Sequence, residues 1–246
     1  MRLNAYLASC GAASRRKSEI IILEGRVRVN NKIILIPYYD VDLEHDEVKF
    51  DGKIIRPESH VYIVMNKPVG YVCAVCDKYD EVVINLLSKE DKLTRVFPVG
   101  RLDRDSEGLL ILTNDGEFAN NISHPSKSNK LGVNKEYEAL LNIEINLKQL
   151  ERWRGGFDIE VEDEIKNIKP LAVNIIDREP VNKWLSIIIA EGVKREIRLM
   201  ANKAGFSVEK LIRVKIGNLK LEDFNLKPGE YIKLSFNEIN NKIFNK

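Results

Sequence analysis

The chain is poor in the residues that build metal centres and disulfide frameworks, with three cysteines and three histidines among 246 residues. Cys73 and Cys76 have the spacing of half a zinc site or of a redox pair. No second cysteine pair exists, and His45, His60 and His124 do not stand at finger-like spacing. A thioredoxin-like role needs a βαβ context with a helix starting at the pair, which Lys67-Pro-Val-Gly-Tyr does not suggest. The pair therefore reads as a loop in which cysteine recurs, and no metal is expected. So few cysteines point to a reducing cytoplasm. No apolar run reaches the ~18 residues of a membrane span. The opening Met-Arg-Leu-Asn-Ala-Tyr is too polar for a secretion signal. There is no GxGxxG turn or P-loop, and no Gly-rich turn after a strand of the kind a methyltransferase uses. Neither sign of charge dominates: Lys and Arg number 39, Asp and Glu 37, for a net charge of +2. A nucleic-acid partner is thus not announced by the total, although a basic patch can hide in a near-neutral sum.

What is present suits a globular protein of one large domain, or of a small and a medium one. Acidic residues gather at Asp40 to Asp51 and at Asp158 to Glu164; basic ones gather at Arg15 to Lys17, at Arg26 and Arg28, and at Lys194 to Arg198. The most informative stretch is Phe97 to Glu117. Pro98 and Gly100 precede a charged loop, Asp103-Arg104-Asp105-Ser106-Glu107. Gly108 is expected to let the chain turn sharply into a short buried strand, Leu109 to Leu112, which Asp115-Gly116 closes. Asp103, Asp105, Glu107 and Gly108 begin like a calcium loop, but the twelfth position is Asn114 where a bidentate Glu is needed. Two readings of the loop remain: aspartates that cap solvated turns, and a catalytic carboxylate, Asp103, flanked by Arg101 and Arg104.

Gly100-Arg101-Leu102-Asp103, followed by Ser106-x-Gly108-Leu109-Leu110 and Thr113-x-Asp115-Gly116, resembles the signature of the RsuA/RluB/RluE/RluF family of ribosomal RNA pseudouridine synthases. The resemblance continues through Asn66-Lys67-Pro68-x-Gly70, through Lys135-x-Tyr137, and through Gly192 with Arg195-x-Ile197-Arg198. It implies that Asp103 is the nucleophile, that Tyr137 stacks on the target base and assists proton transfer, and that Arg198 is the basic partner of Asp103. From the residues alone, Tyr137 also suits a core strand and Arg198 an exposed helix position.

The first sixty residues resemble an S4 RNA-binding domain through Arg2-Leu3-x-x-Tyr6-Leu7-Ala8, Ser14-Arg15-Arg16 and Glu24-Gly25-Arg26-Val27-x-Val29-Asn30. Their pattern predicts two short helices, broken at Gly11 and ended at Gly25, then a strand and a return over Lys32 to Ile36. Arg15, Arg16 and Lys17 open the second helix, where cations oppose the dipole. That placement makes sense if they meet phosphates. With Arg28 they are the expected RNA contacts of this part, and Arg101, Arg104, Lys194 and Arg195 those of the second.

Beyond a linker at Arg56 to His60, the pattern predicts a strand from Val61 to Asn66, a short helix over Val82 to Leu87, and a helical turn from Glu117 to Ile122. A polar loop from His124 to Asn134 and a strand from Lys135 to Leu141 follow. Next come a helix from Leu147 to Arg154 capped by Asn146, strands over 165–177 and 183–190, and a helix carrying Ile197, Met200, Ala201 and Ala204 that Gly205 ends. Leu211 to Gly217 reads as an apolar strand with exposed cations. A last strand runs from Tyr231 to Phe236, and the tail from Asn237 as a polar helix or a frayed end.

The expected architecture is α+β: an S4-like domain over 1–59, then over 60–246 a pseudouridine synthase fold, a mixed and largely antiparallel sheet with flanking helices and a central cleft. The resemblance implies a cytoplasmic, monomeric enzyme that isomerises uridine in ribosomal RNA or an assembly intermediate, 23S favoured over 16S, without a cofactor. The alternative of another class is a non-catalytic RNA-binding or ribosome-assembly factor on the same fold.

Overall fold

The computed structural model describes residues 1–123, 132–161, 164–190 and 193–244. Part of the 124–134 loop, part of the 158–164 acidic group, and Glu191-Gly192 of the third motif therefore lie outside the described residues. The chain divides into two compact units, residues 1–60 with 89–95, and residues 61–88 with 96–246.

In the first unit α1 (Leu3–Ser9) and α2 (Arg15–Leu23) precede β1 (Val27–Val29), β2 (Lys32–Ile33), β3 (Val48–Phe50) and β4 (Lys53–Ile54). The strands form an antiparallel sheet in the order β2-β1-β3-β4. Ser14 starts α2 by accepting a hydrogen bond at Oγ from the Lys17 amide, 3.2 Å away, satisfying a donor that a helix start leaves open. Leu3, Leu7, Ile22, Val27 and Val29 form the core. The return strand is shorter than its sequence suggests, ending at Ile33.

The second unit begins with β5 (Tyr62–Lys67), β6 (Phe97–Val99), β7 (Glu107–Thr113), α3 (Gly116–Ser123), β8 (Lys135–Leu141) and α4 (Leu147–Gly155). It continues with β9 (Phe157–Val161), β10 (Glu164–Ile168), β11 (Ala172–Ile175), β12 (Trp184–Ile189), α5 (Glu196–Ala204), β13 (Val208–Ile216), β14 (Leu219–Lys220), β15 (Tyr231–Leu234) and α6 (Phe236–Phe244). One sheet runs β11-β12-β8-β13-β7-β5-β15, with β14 on β13 and β6 on β7. Its pairings are antiparallel except β13 with β7. The fold is thus α+β with a mixed, largely antiparallel sheet.

The apolar runs of β5 and β7 reflect burial on both faces. Tyr62, Val64, Leu109 and Ile111 pack with Phe118 of α3 and Ile239 and Ile243 of α6. Ile63, Met65, Leu110 and Leu112 pack instead with Val83, Leu87 and Val96. The tail is therefore an amphipathic helix docked by Ile239 and Ile243, more than the polar end its composition suggests. A third cluster joins β8 and β12 to Trp153 of α4 and to Ile197, Met200 and Ala201 of α5. Asn146 and Gln149 close α4 with reciprocal side-chain bonds to backbone N–H groups.

Two expectations are corrected. Gly108 lies inside β7, not at a turn. Its φ is +106°, and a Cβ there would fall on the Arg213 carbonyl oxygen and 2.8 Å from the Arg213 nitrogen. Glycine is present because two backbones meet. Asp115 follows β7, as expected, and also opens α3: its Oδ1 accepts from the Glu117 and Phe118 amides, both at 3.0 Å. The expected strand over 165–177 is two strands, β10 paired with β9 and β11 paired with β12. Pro170 stands between them and has no N–H to donate to a ladder.

Candidate active site

Asp103 stands in the loop joining β6 to β7, and the neighbouring Lys67-to-Cys73 segment holds that loop from beneath. Lys67 is fully buried. Its ammonium donates to the carbonyls of Pro68 at 3.0 Å, Asp103 at 3.1 Å and Ser106 at 2.7 Å. The Gly70 amide donates to the Arg104 carbonyl at 2.8 Å, and Arg104 Nε returns to the Gly70 carbonyl at 3.2 Å. The Leu102 amide donates to Cys73 Sγ at 3.3 Å. The Asn-Lys-Pro-x-Gly turn is thus the clamp of the Asp103 loop. Burial, with Arg213 nearby, draws the Lys67 pKa below the ordinary lysine value.

The Asp103 carboxylate is 28% exposed, and Arg195 Nη1 lies 3.5 Å from its Oδ2. The same guanidinium reaches Asp105 at 3.3 and 3.4 Å. Arg198 was expected at Asp103. Its Nη2 instead lies 3.2 Å from the carboxylate and 3.2 Å from the carbonyl oxygen of Asp105, while its Nη1 donates to the Val208 carbonyl at 2.8 Å. The reason is geometric: Arg195 precedes α5 in a left-handed conformation, φ +58°, which brings it to the pair of carboxylates, whereas Arg198 sits one turn inside. Burial pushes Asp105 up, but Arg195 and Arg198 outweigh it and hold the carboxyl below its ordinary value.

Asp103 and Arg195 open on a cavity of about 680 Å³, which Asp105 and Arg198 do not line. Asp103 and Tyr137 both line it. Tyr137 is 8% exposed, so the core position and the cavity position are one and the same. In β8 it faces Arg213 of β13 on one side and Ile187 of β12 on the other. Arg101, Arg104, Lys135, Lys194, Arg195 and Arg213 line the cavity against three carboxylates, Asp77, Asp103 and Glu196, a balance that suits an anionic ligand. Arg101, Arg104, Lys194 and Arg195 are exposed at the rim. Arg198 itself is mostly buried beside Asp105.

Two cations near the site are buried, and neither announced itself in sequence. Arg213 belongs to a strand expected to carry exposed cations, yet it is 3% exposed and its Nε donates to the Leu109 carbonyl at 2.7 Å. Lys67 carried only a turn motif. The signal that could have found Arg213 is Gly108, since a glycine inside an apolar strand marks a close backbone approach. In the first unit, Arg15, Arg16 and Lys17 are exposed on the first turn of α2. Arg28 is exposed on β1 and donates to the Asn31 carbonyl at 2.9 Å. Among the described residues no group of three or more His, Cys, Asp or Glu side chains could hold a metal, and no helix is long and apolar enough to cross a membrane.

The geometry has counterparts in known proteins. A family model described as RNA pseudouridylate synthase matches residues 61–203, and an S4 domain model matches residues 1–48. An RNA pseudouridine synthase of Aquifex aeolicus (strain VF5) is 40% identical over 240 residues, covering 97% of this chain and 92% of that protein. YtzG of Bacillus subtilis (strain 168), also named an RNA pseudouridine synthase, is 33% identical over 97% of each. SVR1 of Arabidopsis thaliana carries the name of a chloroplastic ribosomal large subunit pseudouridine synthase. It is 34% identical over 97% of this chain and 59% of its own length. A crystal structure of a pseudouridylate synthase superposes with a TM-score of 0.67 at 26% identity, covering 98% of both chains. With an S4 domain ahead of a pseudouridine synthase domain, this chain belongs to the RNA pseudouridine synthase family and is an isomerase that acts on RNA.

Proposed function

We propose that the substrate is a uridine of ribosomal RNA, in the large-subunit RNA before the small, and that Asp103 is the nucleophile. The observation that carries this reading is a partly exposed carboxylate, clamped by backbone contacts and paired with Arg195, in a cation-rich cavity that also holds Tyr137. The large-subunit preference draws support from the name of the plant relative.

The reaction moves C1′ of the ribose from N1 to C5 of the same uracil. The N1–C1′ bond breaks, the C5–C1′ bond forms, the C5 proton leaves and N1 ends protonated, so atoms and electrons balance without a cofactor. The Asp103 carboxylate acts as nucleophile or stabilises charge developing at the sugar. Arg195 sets a positive charge 3.5 Å from that carboxylate. Arg198 acts one residue removed, through Asp105. Tyr137 offers a face on which the extruded base stacks, recovering part of the few kcal/mol that leaving the helix costs. Exposed Arg15, Arg16, Lys17 and Arg28 in the first unit, and Arg101, Arg104, Lys194 and Arg195 in the second, take phosphates and position the RNA.

The test is tritium release from 5-tritiated uridine in unmodified 16S and 23S transcripts, with Asp103→Asn alongside. Release by the wild type from the 23S transcript, abolished in a variant that still binds RNA, is the expected result. Substantial release by Asp103→Asn would remove the nucleophile assignment, and release from the 16S transcript alone would reverse the choice of substrate.

A further inference from the structure

Two polar groups on the cavity wall are buried and unused. Arg213 is 3% exposed and Ser106 1% exposed, and both line the cavity. Among the described residues neither Arg213 Nη2 nor Ser106 Oγ has a hydrogen-bond partner. Other atoms of both residues are bonded: Arg213 Nε donates to the Leu109 carbonyl at 2.7 Å, and the Ser106 carbonyl accepts from Lys67 at 2.7 Å. Buried donors without partners are costly, and here two border one cavity. Arg213 also stands directly opposite Tyr137 in the β13–β8 register, and directly paired residues project from the same face of a sheet. The guanidinium therefore lies beside the ring on which the target base stacks.

We propose that Arg213 and Ser106 are the base-reading donors of the cavity, holding the O4 carbonyl of the extruded uracil and so admitting uridine while rejecting cytidine. This rests on the reading of the cavity as the target-uridine site. Uracil presents an acceptor at position 4 where cytosine presents an amine, so the Arg213 guanidinium, which can only donate, gains a bond with the first and meets another donor in the second, while the Ser106 hydroxyl adds a second bond to the uracil oxygen without itself excluding the amine. A site built to hydrogen-bond its substrate discriminates strongly, because the wrong base leaves its buried groups unpaired. A phosphate oxygen is also an acceptor, but the exposed cations at the rim serve phosphates that keep part of their water, whereas Arg213 and Ser106 are buried in the wall. Gly108 belongs to the same device: its missing side chain is what lets β7 close on the Arg213 backbone.

The experiment uses RNA carrying uridine, 4-thiouridine, cytidine or an abasic nucleotide at the target position, once tritium release and reverse-transcription mapping have located it. Affinity and single-turnover rate are measured for wild type, Arg213→Met, Arg213→Lys and Ser106→Ala, the last two guarding against a variant that fails to fold. Sulfur is a weak acceptor. The wild type should prefer uridine over 4-thiouridine by about tenfold, and over cytidine by more. In Arg213→Met both preferences should shrink toward unity, and in Ser106→Ala the preference over 4-thiouridine should shrink, while affinity for the abasic RNA, which keeps its phosphates, stays at the wild-type level. Three results would overturn the proposal: variants that keep the full preference for uridine; an equal loss on abasic RNA, which marks a phosphate contact; or a wild type that isomerises no transcript. The last removes the functional reading itself, whereas the first two leave it standing.

Discussion

Replacing Lys67 by Met tests how the Asp103 loop is held. The side chain is fully buried and its ammonium donates to three carbonyls at 2.7 to 3.1 Å. Methionine keeps the apolar stem and removes all three bonds. The Asp103 carbonyl keeps the Ser106 amide, 3.1 Å away, so the Pro68 and Ser106 carbonyls are the ones that lose a donor, at about 1–3 kcal/mol each, while no longer burying an ammonium returns several kcal/mol. The two effects nearly offset, and the expected net loss is about 0–2 kcal/mol, read from urea denaturation. Turnover should suffer separately, because two of the three carbonyls belong to Asp103 and Ser106. A carboxylate displaced by about 1 Å costs on the order of 100-fold in rate, whereas RNA affinity, carried by exposed cations, should change little. Burial lowers the Lys67 pKa, so between its folded value and the unfolded value of about 10.4 the unfolded chain binds more protons. The wild type should therefore gain stability as pH rises through that window, and Lys67→Met should lose this gain. A variant within about twofold of the wild-type single-turnover rate would refute the clamp.

Other outcomes follow from the same contacts. Gly108→Ala sets a Cβ against the Arg213 backbone at a φ of +106°; it should cost about 3 kcal/mol or more and lower turnover, measured by denaturation and tritium release. Asp105 is held below its ordinary carboxylate value by Arg195 and Arg198 against the effect of burial. Its contribution to stability is therefore present above about pH 4 and fades as pH falls through the folded value, so Asp105→Asn should flatten that acid limb in pH-dependent denaturation. Arg15→Ala with Arg16→Ala should weaken RNA binding and reduce its salt slope by about two, and an unchanged slope would mean that RNA engages another face.

Much of the fold was legible because its signals are local. Asn146 before Leu147 and Gly205 after Ala204 mark helix ends whatever surrounds them. The apolar runs of β5 and β7 mark strands buried on both faces, and the Asp103 motif placed a carboxylate in the loop that leads into the second of them. Lys67, Arg213 and Asp105 were not legible in the same way. A lysine in a turn and an arginine in a strand look exposed until the sheet closes over them. Gly108 looked like a turn because its real partner, the Arg213 backbone, is 105 positions away.

The sequence by itself determined most of the elements and their order, and through a family resemblance singled out Asp103 as the candidate nucleophile, since periodicity, caps and a contiguous motif need only neighbours along the chain. Which charges meet was decided by the tertiary structure alone. A left-handed residue before α5 brings Arg195, not Arg198, to Asp103. The parallel pairing of β13 with β7 buries Arg213 beside Tyr137. Both depend on backbones packed across long loops, and the strength of a buried charge depends on what is packed around it, which no local pattern records.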